Sequence, residues 1–267
     1  MLFERPDNTI DEDEEMCTRE DAGLDGGAWA LGRRVAQGLK QCACRSGELP
    51  TEVRYVWVYW DKERHPALHH TAAGGLPDLT KDDWLGILDE CAAMGAEEVT
   101  FSVGNSTSPH ADLWDVCHWA QDILGLHVGL HFSGEHFDDA EIEGLRRLDP
   151  ARTRLFVHDS CVEPLRAQLD AGMQVMRSDF TPSQDERPAC TLPKNMVFVN
   201  AAGQLYSCAY VHGRRDYDIG NAFEKPLDKR LCESEDKRTV SSEVPYQAGG
   251  CDGCPPLIAQ AIARGDI

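Results

Sequence analysis

The sequence predicts an α/β fold, a parallel sheet or partial barrel followed by a small cysteine-rich C-terminal module. Two observations carry this. Short runs rich in β-branched and aromatic residues alternate with stretches of helical periodicity between residues 53 and 176, the rhythm of βα units. After them, Cys190 and Cys208 bracket an apparent hairpin, and Cys251 and Cys254 follow at C-x2-C spacing.

Taken in order, residues 1–26 are acidic and poor in large apolar side chains, with Asp11 to Glu15 the densest run. They are expected to form a flexible tail, since such a stretch has too little to bury. Residues 27–45 place Leu31, Val35 and Leu39 on one helical stripe ahead of the pair Cys42 and Cys44. Val53 to Trp60 reads as the first strand. Thr80 is the expected N-cap of a helix from Lys81 to about Met94, with Asp82 and Asp83 in its first turn and Gly95 ending it. Strands are expected at Glu98–Val103, Leu126–Phe132, Arg154–Val157 and Met173–Met176, with helices at 111–124, 138–148 and 161–171 between them. The polar, proline-bearing residues 179–189 read as a linker. Met196–Val199 and Gln204–Ser207 then form a hairpin around Gly203, a residue free to adopt positive φ.

That hairpin brings Cys190 and Cys208 towards each other, and the turn Asp252-Gly253 lets Cys251 and Cys254 point the same way. Four thiolates so placed suit tetrahedral Zn2+ or a cubic iron–sulfur cluster, and spacing alone leaves the metal open. The plainer alternative is two unrelated pairs of buried thiols. Cys232, in the gap, is a fifth candidate. Cys91, Cys117 and Cys161 fall in or at helices and read as packing thiols.

Composition narrows the function. The chain has 267 residues and 42% hydrophobic residues, enough for one α/β domain with a small appendage. A net charge of -20 argues against nucleic acid, which requires a basic face, and favours a basic partner. No apolar run is long enough to span a membrane, and no secretory signal is evident. Eleven cysteines then fit metal work in a reducing, cytoplasmic setting. No G-x-S-x-G, Walker loop or H-E-x-x-H occurs. Gly104 to Ser108 offers an anion-binding loop or, more simply, a turn into a helix. Asp159, after the fourth strand, sits where barrel sites are found, and Asp159-Ser160 equally suits a helix cap. His65 and His69, with His70 adjacent, could ligate Zn2+ or Fe2+, and His131 could meet them at a barrel mouth. The simpler reading is a polar loop and scaffold hydrogen bonds.

The C-terminal pattern C-x12-G-x4-C, a gap, then C-x2-C-P resembles the auxiliary-cluster module of the radical SAM/SPASM family in its shortened twitch form. Val199 to Cys208 and Ile219 to Leu227 resemble that module's hairpin and turn, so the likeness covers roughly residues 190–257. It implies a [4Fe-4S] cluster held by Cys190, Cys208, Cys251 and Cys254. The upstream rhythm is similar to the family's (β/α) scaffold, which implies a truncated partial barrel of the radical SAM type at residues 27–178 and a SPASM/twitch-like module at 179–267. Two departures matter. Where the family has Gly-Gly-Glu-Pro, this chain has Val103-Gly104-Asn105-Ser106, which removes a charge-assisted bond to the methionyl ammonium. Where the family places C-x3-C-x2-C, this chain runs from Trp60 to His70 without a cysteine, and none occurs between Cys44 and Cys91. The resemblance therefore implies a degenerate member, without S-adenosylmethionine cleavage. An accessory electron-transfer or scaffold role beside a radical enzyme, with a protein or peptide partner, is the expectation. The alternatives are a metal-dependent enzyme using His65, His69 and His131, and a structural-zinc binding module. An open sheet edge could favour an oligomer.

Overall fold

A computed structural model describes residues 53–60, 79–105, 107, 112–178, 195–234, 237, 238 and 254. The stretches expected as a tail, a first helix and a histidine loop lie outside these residues, as does the 179–189 linker. Eight strands are described: β1 Tyr55–Tyr59, β2 Glu98–Ser102, β3 His127–His131, β4 Thr153–Val157, β5 Gln174–Arg177, β6 Met196–Val199, β7 Gln204–Tyr206 and β8 Asp218–Asn221. The helices are α1 Lys81–Ala93, α2 Leu113–His118, α3 Asp139–Arg147, α4 Asp159–Gln168 and α5 Leu227–Glu233.

The strands form one sheet in the order β5-β4-β3-β2-β1-β6-β7-β8. β1 to β5 are parallel neighbours in sequence order, as βα units dictate. The finding not anticipated is β6. It turns back with β7 as the expected hairpin, but it also pairs in parallel with β1, Val56 opposite Val197 and Val58 opposite Val199. The scaffold thus has a sixth parallel strand, drawn from the stretch assigned to the cysteine module, where the sequence showed only five. Chain connections leave β1 and β6 in opposite directions. Their carboxyl ends therefore make a topological switch point, where open α/β sheets place ligand sites.

The helices begin where local chemistry lets them. Thr80 accepts from the Asp83 N–H while Asp83 accepts from the Thr80 N–H at 2.8 Å. Asp138 and Glu141 repeat this capping box at the start of α3; each box is worth about 1 kcal/mol. Gly95, at φ 100°, ends α1. The cap of α4 is His158, whose ring accepts from the Ser160 N–H. Asp159 instead faces Arg177 at 3.2 Å, and the helix starts two residues earlier than its apolar spacing suggests. The α2 helix passes into a π turn, Trp119–Ile123. The buried Gln121 of that turn donates to Asp149 and Arg152 carbonyls and to Thr153 Oγ1 and accepts from the Asp149 N–H, tying α2 to the approach to β4.

All five helices cover one face of the sheet. Val56, Val58, Val99, Phe101, Val128, Leu130, Leu155 and Val157 meet Ile87, Leu88, Cys91, Val116, Cys117, Leu145, Leu165 and Leu231 there. Cys91, Cys117 and Cys161 are packing thiols, and burial pushes the first two far above the ordinary thiol range. The Trp114 ring rests directly on Gly144, so that a Cβ there would overlap it. Propensity alone favours Ala over Gly in a helix, yet Gly144→Ala is expected to lower stability by about 2 kcal/mol through overpacking. Urea denaturation checks this, and an unchanged midpoint would mean the ring can move aside.

Each edge strand of the described sheet has one carbonyl taken up by a cation. On β5, Arg166 donates to the Val175 carbonyl at 2.9 Å. On β8, Lys237 donates to the Asp218 carbonyl, and the Arg230 guanidinium lies against Gly220. Such devices work against edge-to-edge pairing at these two points. Among the described residues no helix is long and apolar enough to cross a membrane.

Candidate functional site

The second face of the sheet carries the polar and aromatic residues. Strand alternation and register lay them in rows. One row runs Met196, Tyr55, Glu98, His127; the next runs Phe198, Trp57, Thr100, Gly129, Arg154, Gln174; a third runs Tyr59, Ser102, His131, Phe156, Met176. Gly129 is required by crowding, since a Cβ there would run into Thr100 Oγ1 and the Phe156 ring.

Two polar networks stand on this face. Trp57 Nε1 donates to Ser102 Oγ at 2.8 Å, and Ser102 Oγ lies 3.0 Å from His131 Nδ1. The buried His131 is thus engaged within the scaffold, while His65 and His69 lie outside the described residues. In the second network Arg154 pairs with Glu98 and donates from Nε to Gln174 at 3.0 Å. Glu98 is only 3% exposed. Burial pushes its carboxyl up to about 7, against the pull of Arg154. Its Oε1 is buried with no hydrogen-bond partner. Burial and the neighbouring Arg154 hold His127 below the usual imidazole value.

At the carboxyl ends of the strands, the loops after β2 and β3 are joined. Ser133 donates from its N–H to the Gly104 carbonyl and from Oγ to Asn105 Oδ1. Gly134 lies so close to the Asn105 carbonyl that no Cβ fits. Thr107 donates both its N–H, at 2.6 Å, and its hydroxyl to Glu141 Oε1. These donors are committed to a carboxylate, which speaks against the anion-binding reading of the Gly104 loop.

The cysteine region begins at the β6–β7 turn. Asn200 Oδ1 accepts the N–H groups of Ala202 and Gln204 at 3.0 and 2.9 Å, and Gly203 takes φ 75°. With its oxygen so fixed, Asn200 presents Nδ2 to His212 Nε2 at 3.1 Å. A donor there makes Nε2 an acceptor, so His212 is neutral with its proton on Nδ1. The His212 ring packs against Tyr206 and Phe198, with centroids 5.2 and 5.6 Å apart. Sequence reasoning placed Asn200 in the turn but missed His212 and the bond between them; the signal was an Asn ending a strand before a glycine turn, with a His four residues after Cys208.

Of the four expected cysteine ligands, Cys208 and Cys254 are described. Both are buried, 4% and 5% exposed, in one cluster with Tyr55, Trp57, Tyr59, Met196, Phe198 and Tyr206 on the second face. Segments far apart in sequence therefore contribute two buried thiols to one largely aromatic cluster on the face that carries the β1–β6 pair. Cys190 and Cys251 lie outside the described residues. Cys232 is exposed on α5, whose Leu227 and Leu231 pack under the helix-covered face, away from the Cys208 cluster. Among the described residues no three His, Cys, Asp or Glu side chains converge as metal ligands.

A mostly parallel sheet with helices on one face and polar and aromatic residues on the other defines an α/β protein. The fold is similar to that of BtrN in complex with AdoMet and 2-DOIA, at a TM-score of 0.54 and 13% identity over 73% of this chain and 87% of that chain. BtrN in an open conformation is similar at 0.48 and 11% identity, over 78% and 88% of the two chains. SuiB of Streptococcus suis bound to the precursor peptide SuiA is similar at 0.47 and 12% identity, over 85% and 72%. No protein-family model matches the chain, and no curated protein matches its sequence.

Proposed function

We propose that this chain is an iron–sulfur protein on a radical SAM-type scaffold that has lost the site for cleaving S-adenosylmethionine. Cys190, Cys208, Cys251 and Cys254 would hold one [4Fe-4S] cluster. The observation that carries the reading is the burial of Cys208 and Cys254 in one cluster, in a chain whose sequence keeps the auxiliary-cluster spacing. A donor set of cysteine sulfurs suits the cluster, and the aromatic wall around the two thiols would exclude water from it.

Bound by four cysteines, such a cluster supplies storage or relay of an electron and leaves no iron open for S-adenosylmethionine. The chain's own residues shape its surroundings. Asn200 fixes the hairpin turn that leads to Cys208, His212 and Tyr206 wall it, and Trp57, Ser102 and His131 extend a hydrogen-bonded line across the face. The role is accessory, in the cytoplasm, passing electrons or scaffolding a protein or peptide beside a true radical enzyme. Its parts would be the acidic N-terminal segment, a scaffold of residues 27–178 completed by β6, and the cysteine module from 179 onward.

Anaerobic purification with iron, sulfide and zinc quantified beside a visible spectrum tests this. About four irons and four sulfides per chain with broad brown absorbance are expected. Zinc without colour would replace this reading with a structural site and a binding role. About twice that iron would overturn the loss of the S-adenosylmethionine site.

A further inference from the structure

On the helix-covered side of the sheet, the turn after β8 holds out the ring of Phe223. It is 54% exposed, and no other large hydrophobic side chain among the described residues is exposed. The turn is rigidly built. The Phe223 N–H donates to Asn221 Oδ1, Asn221 Nδ2 donates to the Ala202 carbonyl, and the Ala222 N–H donates to the Gly203 carbonyl. The ring itself lies over Gly203, where a Cβ would collide with it. These three hydrogen bonds fix the turn, so the ring is held in place with one face towards solvent.

Beside the ring opens a cleft of about 240 Å³ between α1 and α5, floored by Ile87, Ala222 and Leu227. Among the described residues its rim carries Asp82, Asp83 and Glu90 and no cation. Asp83 and Glu90 each already accept a backbone N–H, from Thr80 and Leu227, which fixes their positions. An apolar floor, an exposed aromatic face and a ring of carboxylates select one kind of visitor: a planar cation on a hydrophobic stem. Arginine matches best, because guanidinium stacks on an aromatic face while donating to carboxylates. We propose that this cleft docks an arginine-bearing segment of a basic partner protein or peptide. The assignment goes beyond the metal reading and does not depend on it.

The test uses the whole chain as purified, with or without bound metal, and a fluorescein-labelled peptide of alternating arginine and leucine, with a glutamate–leucine peptide as its counterpart. Anisotropy should show binding of the first only. Phe223→Ser should weaken it about fivefold, the size of a cation–π contact, while Phe223→Tyr keeps it. Asp82→Asn should weaken it about threefold, the size of an exposed ion pair. Glu143→Gln, an exposed carboxylate on α3 outside the cleft, should leave it unchanged. Iron content and melting temperature of each variant separate a lost cluster or a failed fold from a lost contact. Equal affinity of wild type and Phe223→Ser, or equal losses in the Asp82 and Glu143 variants, would mean diffuse attraction to an acidic protein and would overturn the proposal.

Discussion

Replacing Cys208 with serine should abolish iron binding and the visible absorbance together. Serine keeps the shape of the side chain but exchanges a soft thiolate for a hard hydroxyl, a poor match for iron–sulfur chemistry. The expected loss is nearly complete, not proportional, because cluster assembly is cooperative among ligands. Cys254→Ser should do the same, since Cys254 shares the buried cluster with Cys208. Cys232→Ser should retain full iron, its side chain being exposed on α5. Retention of full iron in the Cys208 variant would sink the four-cysteine assignment. Loss of iron in the Cys232 variant would put a fifth cysteine back among the ligands.

The second large effect is a pH dependence of stability from Glu98. Its carboxyl is pushed from the ordinary 4.5 up to about 7 in the folded chain, chiefly by burial. The sign follows from proton uptake. Between those two values the folded state holds a proton that the unfolded state has released, so stability falls as pH rises through this window and is level above it. Each tenfold difference in proton affinity between the two states corresponds to about 1.4 kcal/mol, so the whole effect is at most about 3 kcal/mol. Glu98→Gln mimics the protonated form at every pH. The wild-type stability minus that of the variant should therefore decline from pH 5 to pH 7.5. Self-repulsion of a chain with net charge -20 affects both proteins alike and cancels in the difference. Urea midpoints at the two pH values measure it, and parallel pH profiles would show that Glu98 titrates as an ordinary carboxylate.

Much of this architecture was legible in the sequence, for identifiable reasons. Runs such as Val56-Trp57-Val58-Tyr59 announce strands through β-branched and aromatic side chains. Thr80 with Asp83 announces a helix start because both halves of the capping box lie within four residues. What stayed hidden depends on partners far away in sequence. Met196 to Val199 reads as one arm of a hairpin, and nothing in those four residues reveals that their other edge pairs with β1. Strand β8, Asp218-Ile-Gly-Asn221, has a single large apolar residue and a glycine at φ 118°, too little for a strand signal. The α5 helix has only two buried leucines and lacks a side-chain cap. Of the proposed site, the cysteines stand out in the sequence by their spacing. The Asn200–His212 bond does not, because it joins two unremarkable polar residues only once the hairpin has closed.

The cations at the two sheet edges have a consequence for self-assembly. A β-sheet protein can grow by polymerisation when an edge strand offers its carbonyls to a neighbouring molecule's N–H groups. Here Arg166 already serves Val175, and Lys237 already serves Asp218. An incoming strand must first displace a charged side chain from each, and then lie beside another chain carrying the same excess of negative charge. Each edge strand of the described sheet thus keeps one carbonyl occupied by a cation, which raises the cost of pairing at that point. Conditions that protect these two contacts are therefore expected to help keep the protein dispersed in concentrated solution.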